Sequence, residues 1–240
     1  MHTRLSVVLG SLISVGCAAT TLRSGAQLTR SPISAPLPTA GAIFRLLPTG
    51  RSERDTTTWT TEYQRDWRTG LILQVMTATA HGRQSIDSVL FDSSTLRPIW
   101  ERTHGPGMSA VITFDSGRVR AEIRRAAAPV EVTELPLDGS MYTSTMDDIV
   151  VRHLPLAVGE QTVLRFWSGN RFETDTLRVA AYERRSATAS AGMWTVQLFE
   201  PGTIETFWID EASRLISRHR YTRRSDGAES ELVKLTGRAP

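Results

Sequence analysis

Cysteine and lysine are almost missing from this sequence. Cys17 is the only cysteine, and Lys234 is the only lysine among 28 basic residues, so all the others are arginines. A single cysteine excludes a disulfide framework within the chain and a thiolate metal site. The arginines do not predict a binding surface, because no basic run is long enough to form a patch.

Acidic residues are absent before Glu53, and this absence produces most of the formal net charge of +3. Without residues 1–26, which contain Arg4 and Arg23, 26 basic side chains stand against 25 acidic ones. Nucleic-acid binding requires a clustered basic face, so we expect no nucleic-acid partner. The 240 residues, 40% of them hydrophobic, are enough to bury the core of one domain without disulfides or metals.

Long apolar runs are also absent, but the N-terminus has the three parts of a secretory signal. Arg4 provides the positive charge, residues 5–15 provide a short apolar region, and small residues follow. A membrane-spanning helix needs about 20 apolar residues, which this region does not supply. The pattern predicts a signal peptide over residues 1–26 and an exported protein of the periplasm or outer membrane.

Two ways of processing this signal stay open. The residues 24–26 (Ser-Gly-Ala) resemble a cleavage site that releases a soluble product. The residues 14–17 (Ser-Val-Gly-Cys) resemble a bacterial lipoprotein box, in which the signal would be 1–16 and Cys17 would carry the lipid. A membrane contact is therefore expected only through such an anchor.

Residues 27–52 predict a linker rich in proline, serine and threonine, followed by a single domain over 53–240. The linker contains Pro32, Pro36, Pro38 and Pro48. Proline disfavours both a helix and a central strand because it lacks the backbone N–H.

From Thr56 onward, hydrophobic residues recur with the two-residue period of a half-buried strand. The clearest case is a hairpin of 108–114 and 118–124 around a turn at Asp115-Ser116-Gly117. About twelve such strands, with turns every 8–12 residues, predict an all-β protein. The expected architecture is a large curved antiparallel sheet that forms an open or closed β-barrel. No repeat of fixed period indicates a propeller or solenoid.

One short helix is predicted near residues 144–154. Ser144 or Thr145 can cap its start, and Asp147 and Asp148 would lie in its first turn, where the helix dipole favours negative charge. Pro155 would end it.

Three segments resemble a bacterial exported family of unknown function, the domain of unknown function 3108 (DUF3108). They are residues 92–98 (DSSTLRP), 147–160 (DDIVVRHLPLAVGE) and 206–216, which contain TFWID and RLI. The last segment also resembles the closing strands of lipoprotein carriers of the LolA and LolB type. Those carriers cover a half-barrel with several helices, whereas this sequence offers one. The resemblance implies a sheet of this kind and assigns no residue a role.

No catalytic motif is present. Asp147 and Asp148 are adjacent and would not face each other on a helix, so they are interpreted as partners of the helix dipole. His153 is interpreted as a packed ring or a partner of the helix C-terminus. His81, His104, His153 and His219 lie in separate segments without metal-ligand spacing. We expect no enzyme activity, no metal and no cofactor, and keep an unrecognised hydrolase as the least favoured hypothesis.

The six tryptophans all lie on predicted strands. Some strands are apolar on both faces, which requires either two protein layers or one layer and a ligand. Core packing and a ligand groove therefore both stay open. The candidate ligand-binding residues are Phe166, Trp167, Trp194, Phe207 and Trp208.

These observations lead to one leading functional hypothesis and one alternative. The first is a non-catalytic exported envelope protein that binds a lipid or other apolar ligand in the curved sheet. The alternative is a structural or interaction module of the outer envelope, anchored through Cys17 and contacting an envelope protein.

Overall fold

The computed structural model describes the backbone of residues 23–24, 42–48, 57–137, 141–154, 156, 161–168, 173–187, 191–199 and 202–234. It describes side chains for residues 57–137, 141–154, 156, 164–167, 192–199 and 202–232.

The described chain consists of strands and one short helical segment. The strands are β1 (Arg23–Ser24), β2 (Ala42–Pro48), β3 (Thr57–Asp66), β4 (Leu71–Ala80), β5 (Arg83–Asp92), β6 (Pro98–Gly105), β7 (Met108–Asp115), β8 (Arg118–Arg125), β9 (Glu131–Pro136), β10 (Tyr142–Thr143), β11 (Gln161–Ser168), β12 (Glu173–Ala187), β13 (Ala191–Phe199), β14 (Thr203–Asp210), β15 (Ile216–Arg223) and β16 (Glu229–Lys234). A 3₁₀ turn at Ser144–Met146 and helix α1 (Asp147–Arg152) lie between β10 and β11.

Within the described ranges, all sixteen strands belong to one sheet. Its order is β1-β11-β12-β13-β14-β15-β16-β2-β3-β4-β5-β6-β7-β8-β9, and β10 pairs with β11 beside this order. Every pair is antiparallel except the two in which β1 and β10 run parallel to β11. The predicted all-β class, antiparallel sheet and short helix are confirmed, and the described order is that of an open sheet with β1 and β9 at its ends.

The hairpin of β7 and β8 shows why these residues form strands. Val119, Ala121 and Ile123 are buried on one face, while Arg120 and Glu122 between them point to the other face and are only partly buried. Gly117 has a φ of 101°, a left-handed conformation that glycine adopts without steric cost and that closes the turn. The hairpin predicted from the alternation is therefore confirmed.

Trp67 departs from the prediction that every tryptophan lies on a strand. It occupies the turn after β3, and its side chain is 80% exposed. The strand ends because the carboxylate of Asp66 accepts hydrogen bonds from the Arg68 backbone N–H at 2.9 Å and the Thr69 hydroxyl at 2.8 Å. Such a side-chain turn competes with continued strand pairing.

The sheet bends around α1. Ile72 of β4 and Phe91 of β5 belong to the same buried cluster as Val196 of β13 and Phe207 of β14. In the sheet order, β14 and β4 are five strand spacings apart, which is about 24 Å along a flat sheet. One short helix bridges both groups only because the sheet curves, so the predicted curvature is confirmed. The face that contacts α1 is called the concave face below.

Helix α1 is enclosed by this face. The consecutive residues Ile149, Val150 and Val151 are all 0% exposed. Successive helical side chains point about 100° apart, so three buried neighbours require protein on most sides of the helix. The helix is therefore the centre of the core.

A second buried cluster lies beside the first. It joins Phe114 of β7 and Val119 of β8 to Met141 and Trp167. Trp167 follows a register shift between Phe166 and Trp167 in β11. Both of these neighbouring rings are 0% exposed because the shift allows them to enter separate clusters.

The predicted capping of the helix by Ser144 or Thr145 is wrong. Those residues form the 3₁₀ turn, and the N-cap of α1 is Met146, which makes no side-chain capping bond. The hydroxyl of Thr145 instead donates a hydrogen bond to Glu101, 2.7 Å away on β6. Asp147 and Asp148 lie in the first turn, as predicted.

The segment predicted as a linker over 27–52 contains strand β2, which pairs with β16 on one side and β3 on the other. The strand accommodates Pro48 because proline is its last residue, where a ladder hydrogen bond is dispensable. Strand β1 lies within the predicted signal peptide and pairs with Thr162 and Val163 of β11. Cys17 lies outside the described residues.

Two turns of the sheet have the same construction. One follows β5 at Asp92, and the other follows β14 at Asp210. In each, the carboxylate accepts a bond from the backbone N–H three residues later (Thr95 at 2.8 Å, Ser213 at 2.7 Å). The next residue has positive φ in both turns, 55° at Leu96 and 59° at Arg214. A register shift precedes each turn in its strand.

Candidate functional site

The strands have two distinct ends. The turns after β3, β5, β7 and β14 lie at one end, called the Asp92 end. The turns after β4, β6 and β15 lie at the other, called the Pro106 end. This division follows from the antiparallel order, because every second turn falls on the same side.

Polar side chains of the concave face fasten the helix to the sheet. The Tyr63 hydroxyl donates to Asp148 Oδ2 at 2.6 Å. The Gln74 amide donates to the Thr145 carbonyl at 2.9 Å and to Asp148 Oδ1 at 3.3 Å. Burial and the negative charge of Asp148 raise the pKa of Tyr63 well above its ordinary value. Tyr63 therefore stays a neutral donor.

Glu101 is a buried carboxyl group beside this network. It is 1% exposed, and its Oε1 accepts the hydrogen bond from Thr145. Burial raises the pKa of Glu101 to about 7. The pKa of Asp87, which is hydrogen-bonded to Thr103, is also raised by burial. The concave face thus contains a glutamate, Glu101, that can exist uncharged near neutral pH.

Aromatic rings continue the concave face across β3 and β15. His219 stacks on Phe207 with 3.9 Å between ring centroids, and Tyr221 lies 4.3 Å from the His219 ring. Trp59 meets Tyr221 edge-on at 6.3 Å. His219 Nε2 lies 3.2 Å from Glu205 Oε2, a pair that is nearly enclosed.

An apolar cleft opens at the Asp92 end. Its volume is about 400 Å³. It is lined by Thr95, Arg97, Pro98, Phe114, Ser116, Gly117, Leu137, Met141 and Tyr142. Arg97 is exposed and donates one hydrogen bond, at 3.1 Å, to the carbonyl of Asp115. The cleft therefore joins an apolar floor to a cationic group.

A second cleft opens at the Pro106 end, with a volume of about 530 Å³. It is lined by Thr57, Ala78, Ala80, His81, Arg83, Gln84, Ser85 and Pro106. Ala78, Ala80 and Ser85 are small, so they leave space on the sheet where larger side chains would fill it.

Three of the predicted ligand-binding residues surround α1. Phe166, Trp194 and Phe207 are 0%, 6% and 0% exposed and pack in the helix cluster. Trp167 packs in the second cluster with Met141, which lines the apolar cleft. A contact of any of these rings with a ligand stays a prediction.

Trp208 lies apart from the other four, on the opposite face of the sheet. Its neighbours Phe207 and Ile209 are buried on the concave side. The guanidinium groups of Arg218 and Arg220 lie 4.7 Å and 5.6 Å from its ring centroid. Alternation along β14 explains this placement, since successive side chains point to opposite faces.

Asp147 and Asp148, interpreted from the sequence as partners of the helix dipole, have different surroundings in the structure. Asp148 is engaged by Tyr63 and Gln74, whereas Asp147 is 8% exposed one residue earlier. His153 caps the end of α1, where its Nδ1 lies 2.7 Å from the Ile149 carbonyl. Burial lowers the pKa of His153. His153 is thus a packed ring at the helix C-terminus, one of the two interpretations that the sequence left open.

The other histidines do not converge with His153. His81 lies in the turn after β4, His104 near the end of β6, and His219 on β15. In the part of the chain that the structure describes, no three histidine, cysteine or acidic residues are grouped to hold a metal ion.

The sequence interpretation missed Glu101, Gln74 and Arg97. The sequence did contain a signal for Glu101. On β6, Arg102 and His104 alternate with Glu101 and Thr103, so Glu101 lies on the inward face of a half-buried strand, where a glutamate is unusual. No local signal marked Gln74, whose partner Thr145 lies 71 residues away.

In the part of the chain that the structure describes, these features define an all-β protein whose curved antiparallel sheet encloses one short helix and has a cleft at each end. The chain belongs to the family described as protein of unknown function DUF3108, which matches residues 44–232. All three segments that carried the resemblance lie within that range. The more distant likeness to lipoprotein carriers stays a prediction.

No curated protein and no solved structure matches the chain. None of the helical segments in the described ranges has the length and apolar character needed to span a bilayer.

Proposed function

We propose that this protein is a non-catalytic, exported binding protein that holds a small amphipathic ligand, such as a fatty acid, in the cleft at the Asp92 end. The main support for this proposal is that the cleft combines an apolar floor with the guanidinium of Arg97 at its rim. Small-ligand sites are typically concave, about 300–1,000 Å³, mostly apolar and equipped with few polar groups. The cleft of about 400 Å³ fits this description.

The floor supplies the apolar contacts. Phe114 and Met141 are 5% and 2% exposed and belong to the second cluster, against which Leu137 packs. A rigid floor of this kind loses little conformational entropy when a ligand binds. Each methylene group of the ligand that becomes fully buried contributes about 0.8 kcal/mol to the free energy of binding.

Arg97 would orient the ligand in the cleft. A guanidinium has five N–H donors, and the structure gives one of them a partner at the carbonyl of Asp115. The remaining donors suit a carboxylate or phosphate, which arginine binds through two parallel hydrogen bonds. The ligand would therefore place its anionic group at Arg97 and its chain on Phe114 and Met141.

The test is uptake of a fluorescent fatty acid, together with mass spectrometry of organic extracts from gently purified protein. Wild type should bind the probe, Ser116→Trp should block the cleft and abolish binding, and Arg97→Gln should weaken binding several-fold. Arg124→Gln, which removes an exposed arginine far from the cleft, is the matched control and should bind normally. No uptake and no extracted lipid with the wild type would reject the proposal.

The proposed location is the periplasm or the outer membrane, and it rests on residues 1–26. N-terminal sequencing distinguishes the two processing routes: Gln27 at the N-terminus supports a soluble protein, and a blocked, lipidated Cys17 supports an anchor. If Cys17→Ser leaves the membrane-bound fraction unchanged, the anchor is rejected.

A further inference from the structure

Trp67 is 80% exposed, more than any other large apolar residue that the structure describes. It lies in the turn after β3, at the Asp92 end. The guanidinium of Arg65 lies 4.5 Å from the centroid of the Trp67 ring and stabilises its position by a cation–π contact. The exposed face of the ring is thus held outside the body of the sheet.

Two further exposed apolar side chains lie at the same end. Ile99 is 37% and Leu215 is 38% exposed. Leu215 completes the turn after β14, and Ile99 is the extra residue of the register shift at the start of β6. The other exposed large apolar residues in the described ranges, on or beside β7 and β9, are Val111, Val130 and Val132. Single exposed apolar residues are ordinary, whereas a group around one opening indicates a contact surface.

The turns that carry these side chains are joined to one another. The backbone N–H of Ser93 donates to the Gly70 carbonyl at 2.9 Å, which joins the turn of Trp67 to the turn after β5. The bond from Arg97 to the Asp115 carbonyl joins that turn to the one after β7. The apolar cleft opens between these last two turns.

The turn of Leu215 joins the others through the end of the helix. The Arg214 guanidinium donates to the Leu154 carbonyl at 3.4 Å. Leu154 packs in the same buried cluster as Leu96 of the turn after β5. The four connected turns are called the Asp92 rim, which comprises residues 66–70, 93–99, 115–117 and 211–215.

The charges of the Asp92 rim are complementary to an anionic surface. The carboxylates of Asp66 and Asp92 accept hydrogen bonds from backbone N–H groups of their own turns, and Asp115 pairs with an arginine three residues later. Arg68 and Arg97 are exposed, and neither guanidinium pairs with a carboxylate of the described residues. Unpaired positive charge therefore lies beside Trp67 and at the mouth of the cleft, where it suits phosphate groups.

These features favour a phospholipid surface over a protein partner. The apolar side chains lie on separate turns, and turns two strands apart are about 10 Å from each other. Exposed serine and threonine residues lie between them. A protein interface requires a closely packed core, which side chains at this spacing do not form. Lipid head groups move to fit them, and tryptophan is enriched where head groups meet acyl chains because its ring is apolar and its N–H is polar.

We propose that the Asp92 rim docks on a phospholipid surface, with Trp67, Ile99 and Leu215 inserted among the head groups and Arg68 on lipid phosphates. The ligand then enters the cleft beside Arg97 directly from the lipid layer, without crossing water. This role in loading rests on the proposed ligand cleft. It adds a membrane contact to the one that the predicted lipid anchor would make.

Flotation with vesicles of phosphatidylethanolamine and phosphatidylglycerol tests the docking. The full chain carries Cys17→Ser, so that no lipid anchor contributes. This parent protein should float with the vesicles, and Trp67→Ser should weaken its vesicle affinity about tenfold, which corresponds to about 1.4 kcal/mol. Val132→Ser removes an exposed apolar side chain away from the rim and should float as the parent does.

Vesicles with brominated acyl chains identify the face that docks, because bromine quenches tryptophans that enter the lipid layer. The parent should be quenched. Trp67→Phe keeps an aromatic ring and should still float, but its quenching should be lost. If the quenching persists in Trp67→Phe, another face of the protein contacts the lipid and the inference is wrong.

A fluorescent fatty acid separates docking from ligand binding. Trp67→Ser should take up the probe from solution as the parent does, but several-fold more slowly from vesicles that contain it. Vesicle binding without any probe uptake would reject the ligand cleft and support the docking surface. The inference is overturned if the folded parent does not float, or if Trp67→Ser floats equally well. A parent that fails to float and forms a dimer dissociated by Trp67→Ser would assign the rim to a second copy instead.

Discussion

The buried carboxyl group of Glu101 makes the stability of the core depend on pH. Its carboxyl group is buried at the point where β6 meets the 3₁₀ turn, and the Thr145 hydroxyl is its hydrogen-bond donor. Burial disfavours the charged form, so the pKa rises from 4.5 to about 7. Between these values, the folded chain keeps a proton that the unfolded chain releases.

Folding stability should therefore fall as pH rises. The contribution of the protonated Glu101 to the free energy of unfolding is fully present below pH 4.5 and is lost as pH increases through about 7. Its size is up to about 3 kcal/mol, because each tenfold difference in proton affinity between the folded and unfolded chain corresponds to about 1.4 kcal/mol. The raised pKa of Asp87 acts in the same direction.

Glu101→Gln should remove most of this pH dependence. Glutamine keeps an acceptor for the Thr145 hydroxyl but carries no charge, so the variant should be more stable than wild type at pH 8 and similar at pH 4.5. Urea unfolding at both pH values measures the effect. Glu134→Gln, at a half-exposed position on β9, is the control and should behave as the wild type does. An unchanged pH slope in Glu101→Gln would show that other groups cause it.

Tyr63→Phe tests the bond between the sheet and the helix. The change removes the hydroxyl that donates to Asp148 at 2.6 Å and leaves a partly buried carboxylate with a weaker partner. We expect a loss of about 1–3 kcal/mol in the free energy of unfolding. Tyr142→Phe is a matched control, since the structure shows no hydrogen bond for the Tyr142 hydroxyl within the described residues, and it should cost less. Equal losses in both variants would contradict the assignment.

At the scale of elements, the two equivalent turns after β5 and β14 hold the helical segment from both sides. The first places Leu96, 3% exposed, in the helix cluster. In the second, the Arg214 carbonyl accepts a bond from Arg152 at 2.8 Å, and the Arg214 guanidinium donates to the Leu154 carbonyl at 3.4 Å. The same turn geometry thus provides an apolar contact in one half and polar contacts in the other.

Asp92→Ala should destabilise the first turn by about 1–2 kcal/mol, because the backbone N–H groups of Ser94 and Thr95 lose their acceptor. Thermal unfolding measures the loss. Asp115→Ala is the control, since that residue pairs with Arg118 in an exposed turn and should change stability little. Asp210→Ala should lower stability in the same direction as Asp92→Ala. If Asp92→Ala unfolds at the wild-type temperature, the turn does not depend on this carboxylate.

At the scale of the whole molecule, α1 makes one core out of distant parts of the sheet. Residues of β4 and β5 and residues of β13 and β14 contact the helix cluster, although about 120 residues separate them along the chain. The two halves are therefore expected to unfold together.

Ile149→Ala tests this coupling. The side chain is 0% exposed, so its truncation should cost about 2–5 kcal/mol. Hydrogen exchange followed by mass spectrometry should show faster exchange in peptides of β4–β5 and of β13–β14 alike. Val132→Ala, at a position 54% exposed on β9, should leave both regions unchanged. Faster exchange in only one region would show that the halves unfold independently.

The sequence alone determined the class of fold, because the two-residue alternation of strands such as β8 and the glycine and aspartate turns between strands are local properties. It also placed Asp147 and Asp148 in the first turn of the only predicted helix. These features depend on residues a few positions apart, so no knowledge of long-range contacts was needed.

The tertiary structure alone decided which face of each strand surrounds the helix, and therefore which polar groups meet. Glu101 and Thr145 are 44 residues apart, and Tyr63 and Asp148 are 85 residues apart. Their contacts arise from sheet register and curvature, which combine pairings along the whole chain. The alternation of β14 offered two equally apolar faces, and only the position of α1 placed Phe207 inside and Trp208 outside.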